Sequence, residues 1–149
     1  MTITFMVPQR EELMKNNRIF IDTSFVIAVF NTDDKLHNRA MELLENLYNS
    51  KDLWITDAIL YEIGDGLCKT NPKSASEFIK SCINSNHITV IKTDNSLLFN
   101  ALDRYSSFKD KNWSLTDCIS FEVMKENDID IAYSSDHHFA QAGFQYALR

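Results

Sequence analysis

Four acidic side chains in separate parts of the chain are the residues best suited to carry chemistry. They are Asp22, Glu62, Asp117 and Asp136. Asp22 directly follows the apolar run Ile19–Ile21, and Asp136 follows a second apolar run that ends at Tyr133. Several carboxylates without His or Cys partners suit Mg²⁺ or Mn²⁺, because these hard cations prefer oxygen ligands. Metal ions held by carboxylates support hydrolysis of phosphodiesters by activating the attacking water. The pattern therefore predicts metal-dependent phosphodiester hydrolysis.

Each of the four acids also has a purely structural interpretation. Asp22 and Asp136 each precede a segment with helical character, so either side chain could be a helix N-cap. Asp117 stands three residues after Ser114, which is the spacing of a capping box. A carboxylate in the first turn of a helix stays ionised, so capping and metal binding are compatible there. Glu62 borders an apolar helix face and could simply be a solvated flanking residue.

Other catalytic motifs are missing from the sequence. It contains neither a Gly-rich phosphate-binding loop nor a G-x-S-x-G nucleophile elbow. The four histidines have no zinc-ligand spacing, and we interpret His137 and His138 as surface or packing residues. The three cysteines show no C-x-x-C spacing, which indicates reduced thiols rather than a disulfide framework or a zinc site.

Composition and charge limit the class of protein. A chain of 149 residues is long enough for one domain with its own core. The formal charge of −6 argues against an extended basic surface that binds nucleic acid. Metal ions in an acidic site would still permit a nucleic-acid substrate. Five basic residues are available for backbone contacts but are interpreted as solvated surface charges: Arg39, Lys69, Lys73, Lys109 and Lys111. The sequence shows neither a membrane span nor a signal peptide, so we expect a cytoplasmic protein.

Hydrophobic periodicity divides the chain into alternating strands and helices. Apolar, β-branched runs predict strands at 19–21, 53–56, 88–91, 129–133 and 146–148. Helical spacing predicts helices at 25–30, 37–48, 57–69, 74–84, 96–105 and 115–126, with a short helix after Asp136. This alternation predicts an α/β domain over residues 18–149 with a mostly parallel sheet, preceded by an N-terminal extension, residues 1–17. Ligands of such sheets bind beyond the carboxyl ends of the strands, where Asp22 and Asp136 would both lie.

Four short motifs together resemble the PIN-domain ribonuclease family, and within it the VapC-type toxins of bacterial toxin–antitoxin pairs. The motifs are Ile-Asp-Thr-Ser at 21–24, Tyr-Glu-Ile at 61–63, Ser-Leu-Thr-Asp-Cys at 114–118 and Ser-Ser-Asp-His-His-Phe at 134–139. Each motif is weak alone, but their order and spacing make the resemblance specific. It covers residues 18–148, which is nearly the whole predicted domain.

The resemblance implies a three-layer α/β/α sandwich with a mostly parallel sheet of about five strands. It also implies a metal-dependent endoribonuclease that uses Mg²⁺ or Mn²⁺, with Asp22, Glu62, Asp117 and Asp136 as the acidic set. Thr23 or Ser24 would orient Asp22 or a metal-bound water, and Ser114 would support Asp117. Ser134 supplies a hydroxyl where the family often has Thr. The implied partners are an RNA substrate, a VapB-like antitoxin and a second copy of the chain in a homodimer.

Two rival interpretations follow from the same residues. In the first, the acidic pocket is catalytically silent and the fold serves as a protein-binding module. In the second, Asp22 is the nucleophile of a metal-dependent phosphatase. The sequence disfavours the phosphatase, because no acid stands two residues after Asp22 to act as the general acid. The two glycines of Gly64-Asp65-Gly66 are expected to loosen the wall of the pocket.

Overall fold

The computed structural model describes residues 18–50 and 52–149, so the predicted N-terminal extension, residues 1–17, lies outside the described residues. Within these ranges the strands are β1 (Ile19–Ile21), β2 (Leu53–Thr56), β3 (Ile88–Ile91), β4 (Ile131–Tyr133) and β5 (Gln145–Tyr146). They form one sheet in the order β3-β2-β1-β4-β5, and every neighbouring pair is parallel. The predicted α/β fold with a five-stranded parallel sheet is confirmed.

Helices alternate with the strands along the described chain. They are α1 (Thr23–Phe30), α2 (His37–Asn49), α3 (Asp57–Leu67), α4 (Pro72–Asn84), α5 (Asn95–Ser107), α6 (Leu115–Glu126) and α7 (His138–Gln141). A short 3₁₀ turn, Lys109–Lys111, lies between α5 and α6. None of the helices in these ranges is both long enough and apolar enough to cross a membrane.

Strand β1 is the centre of the sheet and fixes where a site can form. All three of its residues are buried, as expected for a strand covered on both faces. The chain proceeds from β1 outward to β2 and β3, then returns to place β4 and β5 on the other side of β1. The order therefore reverses between β1 and β4, and the crevice at their carboxyl ends is the expected ligand position. The Asp22 N–H donates to the Tyr133 carbonyl at 3.1 Å and extends this pairing to the edge.

Some element boundaries differ from the predicted ones for local reasons. Strand β4 begins at Ile131 rather than Ile129, because the Ile129 N–H donates instead to the Met124 carbonyl at the end of α6 (2.9 Å). Asp128 makes this helix termination possible by adopting a left-handed conformation, with φ of 53°. Helix α1 starts at Thr23 rather than Phe25, so Asp22 stands directly before its first residue.

An aromatic cluster anchors the segment that follows β4. Phe139, which is fully buried, packs against Phe20 of β1 and edge-on against Phe121 of α6, with ring centroids 6.4 and 5.1 Å apart. Burying a Phe side chain contributes roughly 1.5–3 kcal/mol. The anchor holds the turn that carries Asp136 close to the ends of β1 and α6.

The three cysteines are free thiols, as predicted. Burial raises the pKa of Cys82 and of Cys118 to about 11 in each case. Both thiols therefore stay protonated near neutral pH, and their contribution is to packing.

Candidate active site

One open pocket at the carboxyl ends of β1 and β4 is lined by all four predicted acids. Asp22 comes from the end of β1, Glu62 from α3, Asp117 from the first turn of α6 and Asp136 from the loop after β4. The predicted supporting residues Thr23, Ser24 and Ser114 also line the pocket. The structure thus brings together acids that are up to 114 residues apart in the sequence.

Asp22 is the most enclosed of these acids, with only 7% of its surface exposed. It occupies the N-cap position of α1, but its side chain makes no capping hydrogen bond, so the capping interpretation of this carboxylate is wrong. Its Oδ2 atom instead accepts hydrogen bonds from the hydroxyls of Ser24 (2.9 Å) and Ser134 (2.6 Å). The predicted orienting role therefore falls to Ser24, with Ser134 as a second donor.

The surroundings of Asp22 act in opposite directions on its acidity. Burial raises its pKa from 3.8 to about 6, the hydrogen bonds from Ser134 and Ser24 lower it, and the negative charge of Asp117 raises it again. A bound cation would offset both the burial and the repulsion from Asp117. The pocket is therefore electrostatically suited to a divalent cation.

Ser134 is completely buried behind the pocket and joins two of its walls. Its hydroxyl donates to Asp22 and accepts from the backbone N–H of Asp136 at 2.9 Å. On the other side, the Ser24 hydroxyl accepts from the backbone N–H of Ser135 at 3.0 Å. These two serines fix the loop after β4 against the end of β1, and so fix the distance between their acids.

Asp117 combines a structural and a pocket position. The predicted capping box is confirmed: the Asp117 N–H donates to Ser114 Oγ at 3.0 Å, and the Ser114 N–H donates to Asp117 Oδ2 at 3.1 Å. The box sets the rotamer of Asp117 while the carboxylate still lines the pocket. Asp117 thus caps α6 and lines the pocket at the same time, a combination that the sequence analysis expected.

Glu62 is held by a residue that was expected to act elsewhere. The Thr23 hydroxyl donates to Glu62 Oε1 at 2.6 Å, so Thr23 orients this acid rather than Asp22. Interpreting Glu62 as a solvated flanking residue is therefore wrong.

The expectation that the glycines of α3 loosen the pocket wall is wrong for Gly66, which lies one turn after Glu62. A Cβ atom there would lie 2.7 Å from Ile27 Cδ1, so this glycine allows α3 to approach α1 closely.

Asp136 and His138 form the remaining wall. Asp136 Oδ1 accepts the backbone N–H of His138 at 2.9 Å, a cap-like turn that partly satisfies its structural interpretation. The Nδ1 atom of His138 lies 3.2 Å from both Asp117 Oδ2 and Asp136 Oδ1. Both histidines line the pocket, but the surface interpretation holds only for His137, whose side chain is 68% exposed, and is wrong for His138, whose side chain is 20% exposed and contacts the two acids.

Sequence reasoning did not assign five of the residues that line the pocket: Ile27, Asn112, Ser135, His137 and His138. The signal for His138 was its position between a motif acid and the buried Phe139, although adjacency does not fix the direction of a side chain. The signal for Asn112 was weaker, because this residue lies in a loop, and loop conformation cannot be predicted from hydrophobic periodicity.

The donor set fits a hard divalent cation. Carboxylate oxygens from four elements converge with hydroxyls in the pocket, which is the ligand type that Mg²⁺ and Mn²⁺ prefer. Asp136, His137 and His138 also offer ligand atoms within 4.8 Å of one another. These imidazole nitrogens suit a transition metal such as Mn²⁺ better than Mg²⁺.

A scan against protein-family models matches residues 19–145 to the PIN domain. The match covers most of the chain, and the protein belongs to the PIN domain family. A search of the curated proteins finds no significant match.

Solved structures show the same fold. VapC20 of Mycobacterium tuberculosis, described as a toxin that cleaves the sarcin–ricin loop, has a TM-score of 0.76 and 26% identity, over 85% of this chain and 95% of that chain. FitAcB of Neisseria gonorrhoeae has a TM-score of 0.61 and 14% identity, over 86% and 95% of the two chains. A DNA-bound VapBC complex of Salmonella typhimurium has a TM-score of 0.58 and 13% identity, over 87% and 96%. The VapC20 match supports the resemblance to VapC-type toxins; the other two establish only the fold.

Proposed function

We propose that this protein is a Mg²⁺- or Mn²⁺-dependent endoribonuclease of the VapC toxin type. The observation that carries the proposal is the convergence of four carboxylates, each from a different element, in one pocket at the switch point of the sheet. The choice of RNA as substrate is supported by membership of the PIN family and by the likeness to VapC20. The working domain would be residues 18–149, with residues 1–17 as an extension.

Asp22 and Asp117 would be the principal metal ligands, and Glu62 and Asp136 would complete the site directly or through water. A bound Mg²⁺ or Mn²⁺ would activate water and neutralise charge on the scissile phosphate. The protein's own contribution is positioning. Ser24 and Ser134 hold Asp22, Thr23 holds Glu62, and the capping box holds Asp117, so the ligands are preorganised without help from the substrate.

The same proposal includes two protein partners. A VapB-like antitoxin would inhibit the enzyme, and an Arg or Lys from it could pair with the pocket acids in place of the metal. We also propose a homodimer, for which the exposed apolar residues of α5, Phe99, Leu102 and Tyr105, offer a surface. Light scattering of the purified protein, alone and with Phe99→Ser, tests the dimer.

RNA cleavage by the purified protein tests the proposed activity. A mixed pool of structured RNA is incubated with Mn²⁺, with Mg²⁺ or with EDTA, and the Asp22→Asn protein is assayed beside the wild type. We expect cutting that needs metal and that falls by at least about 100-fold in the variant. Cleavage that is lost on further purification, or that persists equally in Asp22→Asn, would overturn the assignment and favour a catalytically silent binding module.

A further inference from the structure

The loop between α5 and α6 contributes Asn112 to the lining of the acidic pocket. We call residues 108–113 the pocket loop; its sequence is Phe-Lys-Asp-Lys-Asn-Trp. Asn112 lines the pocket together with the acids, and the chain then continues directly into Ser114 and the capping box of Asp117. Asn112 of this loop is thus available to a ligand that occupies the pocket.

The carboxyl end of the pocket loop is firmly anchored. Trp113 is buried, and its Nε1 donates to Gln141 Oε1 of α7 at 3.0 Å. Its ring packs edge-on against Phe121 and also contacts Phe108, with both centroid distances equal to 5.1 Å. Because the anchor ties the loop to α6 and α7, the loop keeps a fixed position relative to Asp117 and Asp136.

Asn112 has an unusual backbone for a residue with a side chain. Its φ of 55° and ψ of 29° lie in the left-handed region, which Asn tolerates better than most residues. Its side chain is exposed and makes no hydrogen bond within residues 18–50 and 52–149. Its amide therefore has two donors and one acceptor available at the pocket.

The two lysines of the pocket loop are the cations closest in sequence to the pocket residue Asn112. Lys109 is exposed, and the Lys111 ammonium lies 3.6 Å from Asp110, whose side chain is 76% exposed. An exposed ion pair of this length contributes little and exchanges readily for another anion. Neither lysine lines the pocket, but both stand within three residues of Asn112, which does. In a protein of charge −6, such cations would favour binding of a polyanionic nucleic-acid strand.

We propose that the pocket loop holds and reads the RNA strand beside the scissile bond. The Asn112 amide contacts the base of an unpaired nucleotide in the pocket, and Lys109 and Lys111 contact the neighbouring phosphates. The amide supplies nucleotide preference, since unpaired bases present their edges for hydrogen bonding. The lysines supply affinity that does not depend on sequence. This inference rests on the nuclease function proposed above and adds the residues that select its substrate.

The first test is Asn112→Gly. Glycine adopts the left-handed backbone without strain, so the loop keeps its conformation while the amide is removed. We expect a melting temperature within a few degrees of the wild type, together with a redistribution of cut sites in sequenced digests of the RNA pool. The preference at one position next to the cut should relax by roughly 5- to 150-fold. If Asn112 were only a turn residue, the cut sites would be unchanged and the base-reading role would be wrong.

The second test is the double variant Lys109→Gln/Lys111→Gln, with Lys73→Gln/Lys80→Gln as its control. The control removes the same charge from exposed positions of α4, a helix that contributes no residue to the pocket lining. We expect the loop variant to lower kcat/KM evenly at all cut sites and to make its log–log salt dependence shallower by about 1.4, or about 0.7 per phosphate contact. Equal effects of the two double variants would overturn the phosphate-contact role.

Failure of the nuclease function can be told apart from failure of this inference. If the wild type does not cleave, binding of a fluorescein-labelled single-stranded RNA is measured in Mg²⁺ at low salt. RNA binding that the loop variants weaken would support the pocket loop although the nuclease assignment had failed. Absence of both cleavage and binding by the wild type would overturn both.

Discussion

At the scale of single residues, Asp22 decides how the pocket behaves without metal. Its carboxyl is buried, accepts two hydroxyl hydrogen bonds, and has its pKa raised from 3.8 to about 6 by burial, with the charge of Asp117 acting in the same direction. Between these two pH values the folded state holds a proton that the unfolded state has released. The contribution of Asp22 to the stability of the metal-free protein therefore falls as pH rises from about 4 to about 6, and then stays level.

Asp22→Asn should stabilise the metal-free protein at pH 7.5. The neutral amide avoids burying a charge, and its oxygen can still accept from Ser24 and Ser134. A pKa difference of about 2 units corresponds to at most about 3 kcal/mol in the free energy of unfolding. Urea unfolding in EDTA at pH 5 and pH 7.5 measures this gain, with the exposed Asp65→Asn as control. A variant less stable than the wild type at pH 7.5 would contradict the electrostatic account of Asp22.

Ser134 should matter for activity although it does not line the pocket. Ser134→Ala removes the 2.6 Å hydrogen bond to Asp22 and the acceptor for the Asp136 N–H, so both acids lose their orientation. We expect cleavage to fall by about 10- to 100-fold, the usual cost of losing a residue that orients a metal ligand. Ser134→Thr keeps the hydroxyl and should retain most of the activity. Equal rates for the two variants would show that the hydroxyl has no positioning role.

At the scale of elements, the contact between α1 and α3 shapes the pocket wall. The two glycines of α3 make a matched pair for testing it. A Cβ at Gly64 would lie 3.9 Å from Ile79, an ordinary contact, whereas a Cβ at Gly66 would lie 2.7 Å from Ile27, which lines the pocket. The first glycine is thus replaceable, and the second sets the helix spacing.

Gly64→Ala should raise the free energy of unfolding by about 0.5–1 kcal/mol, since alanine is the better helix former. Gly66→Ala should gain less or lose stability, because Ile27 must change its rotamer. Only Gly66→Ala should alter the rate of RNA cleavage. Denaturant unfolding and cleavage assays of both variants provide the comparison. An equal gain in both would mean that the α1–α3 contact is loose.

Element periodicity made most of the fold predictable, but not the partners of the pocket side chains. Strands β2 and β3 and helix α6 have the predicted bounds, because each has a clear apolar pattern and α6 has a capping box that could be identified from Ser114 and Asp117. The pairing of Thr23 with Glu62 was not predictable, because it depends on how closely α3 approaches α1. His138 was misjudged for a related reason: the rotation of a one-turn helix depends on where Phe139 is buried.

At the scale of the whole molecule, metal binding should be linked to folding. Mn²⁺ at 100 times its dissociation constant should stabilise the wild type by about 2.7 kcal/mol if only the folded state binds it. The same Mn²⁺ should leave Asp22→Asn nearly unchanged, because that variant lacks the buried charge. Unfolding with and without Mn²⁺ measures the difference, and removal by EDTA should reverse it. Equal stabilisation of both proteins would mean that Mn²⁺ binds at a site that does not include Asp22.

The most direct test of the account compares four isosteric substitutions in one cleavage assay. Asp22→Asn, Glu62→Gln, Asp117→Asn and Asp136→Asn each remove one charge from the pocket, and Asp65→Asn removes one from an exposed position of α3 outside it. With Mn²⁺ and the RNA pool, we expect all four pocket variants to lose cleavage by at least about 100-fold while Asp65→Asn cuts at the wild-type rate. Wild-type cutting by Asp22→Asn or Asp117→Asn would contradict the claim that these acids form a single metal-dependent nuclease site.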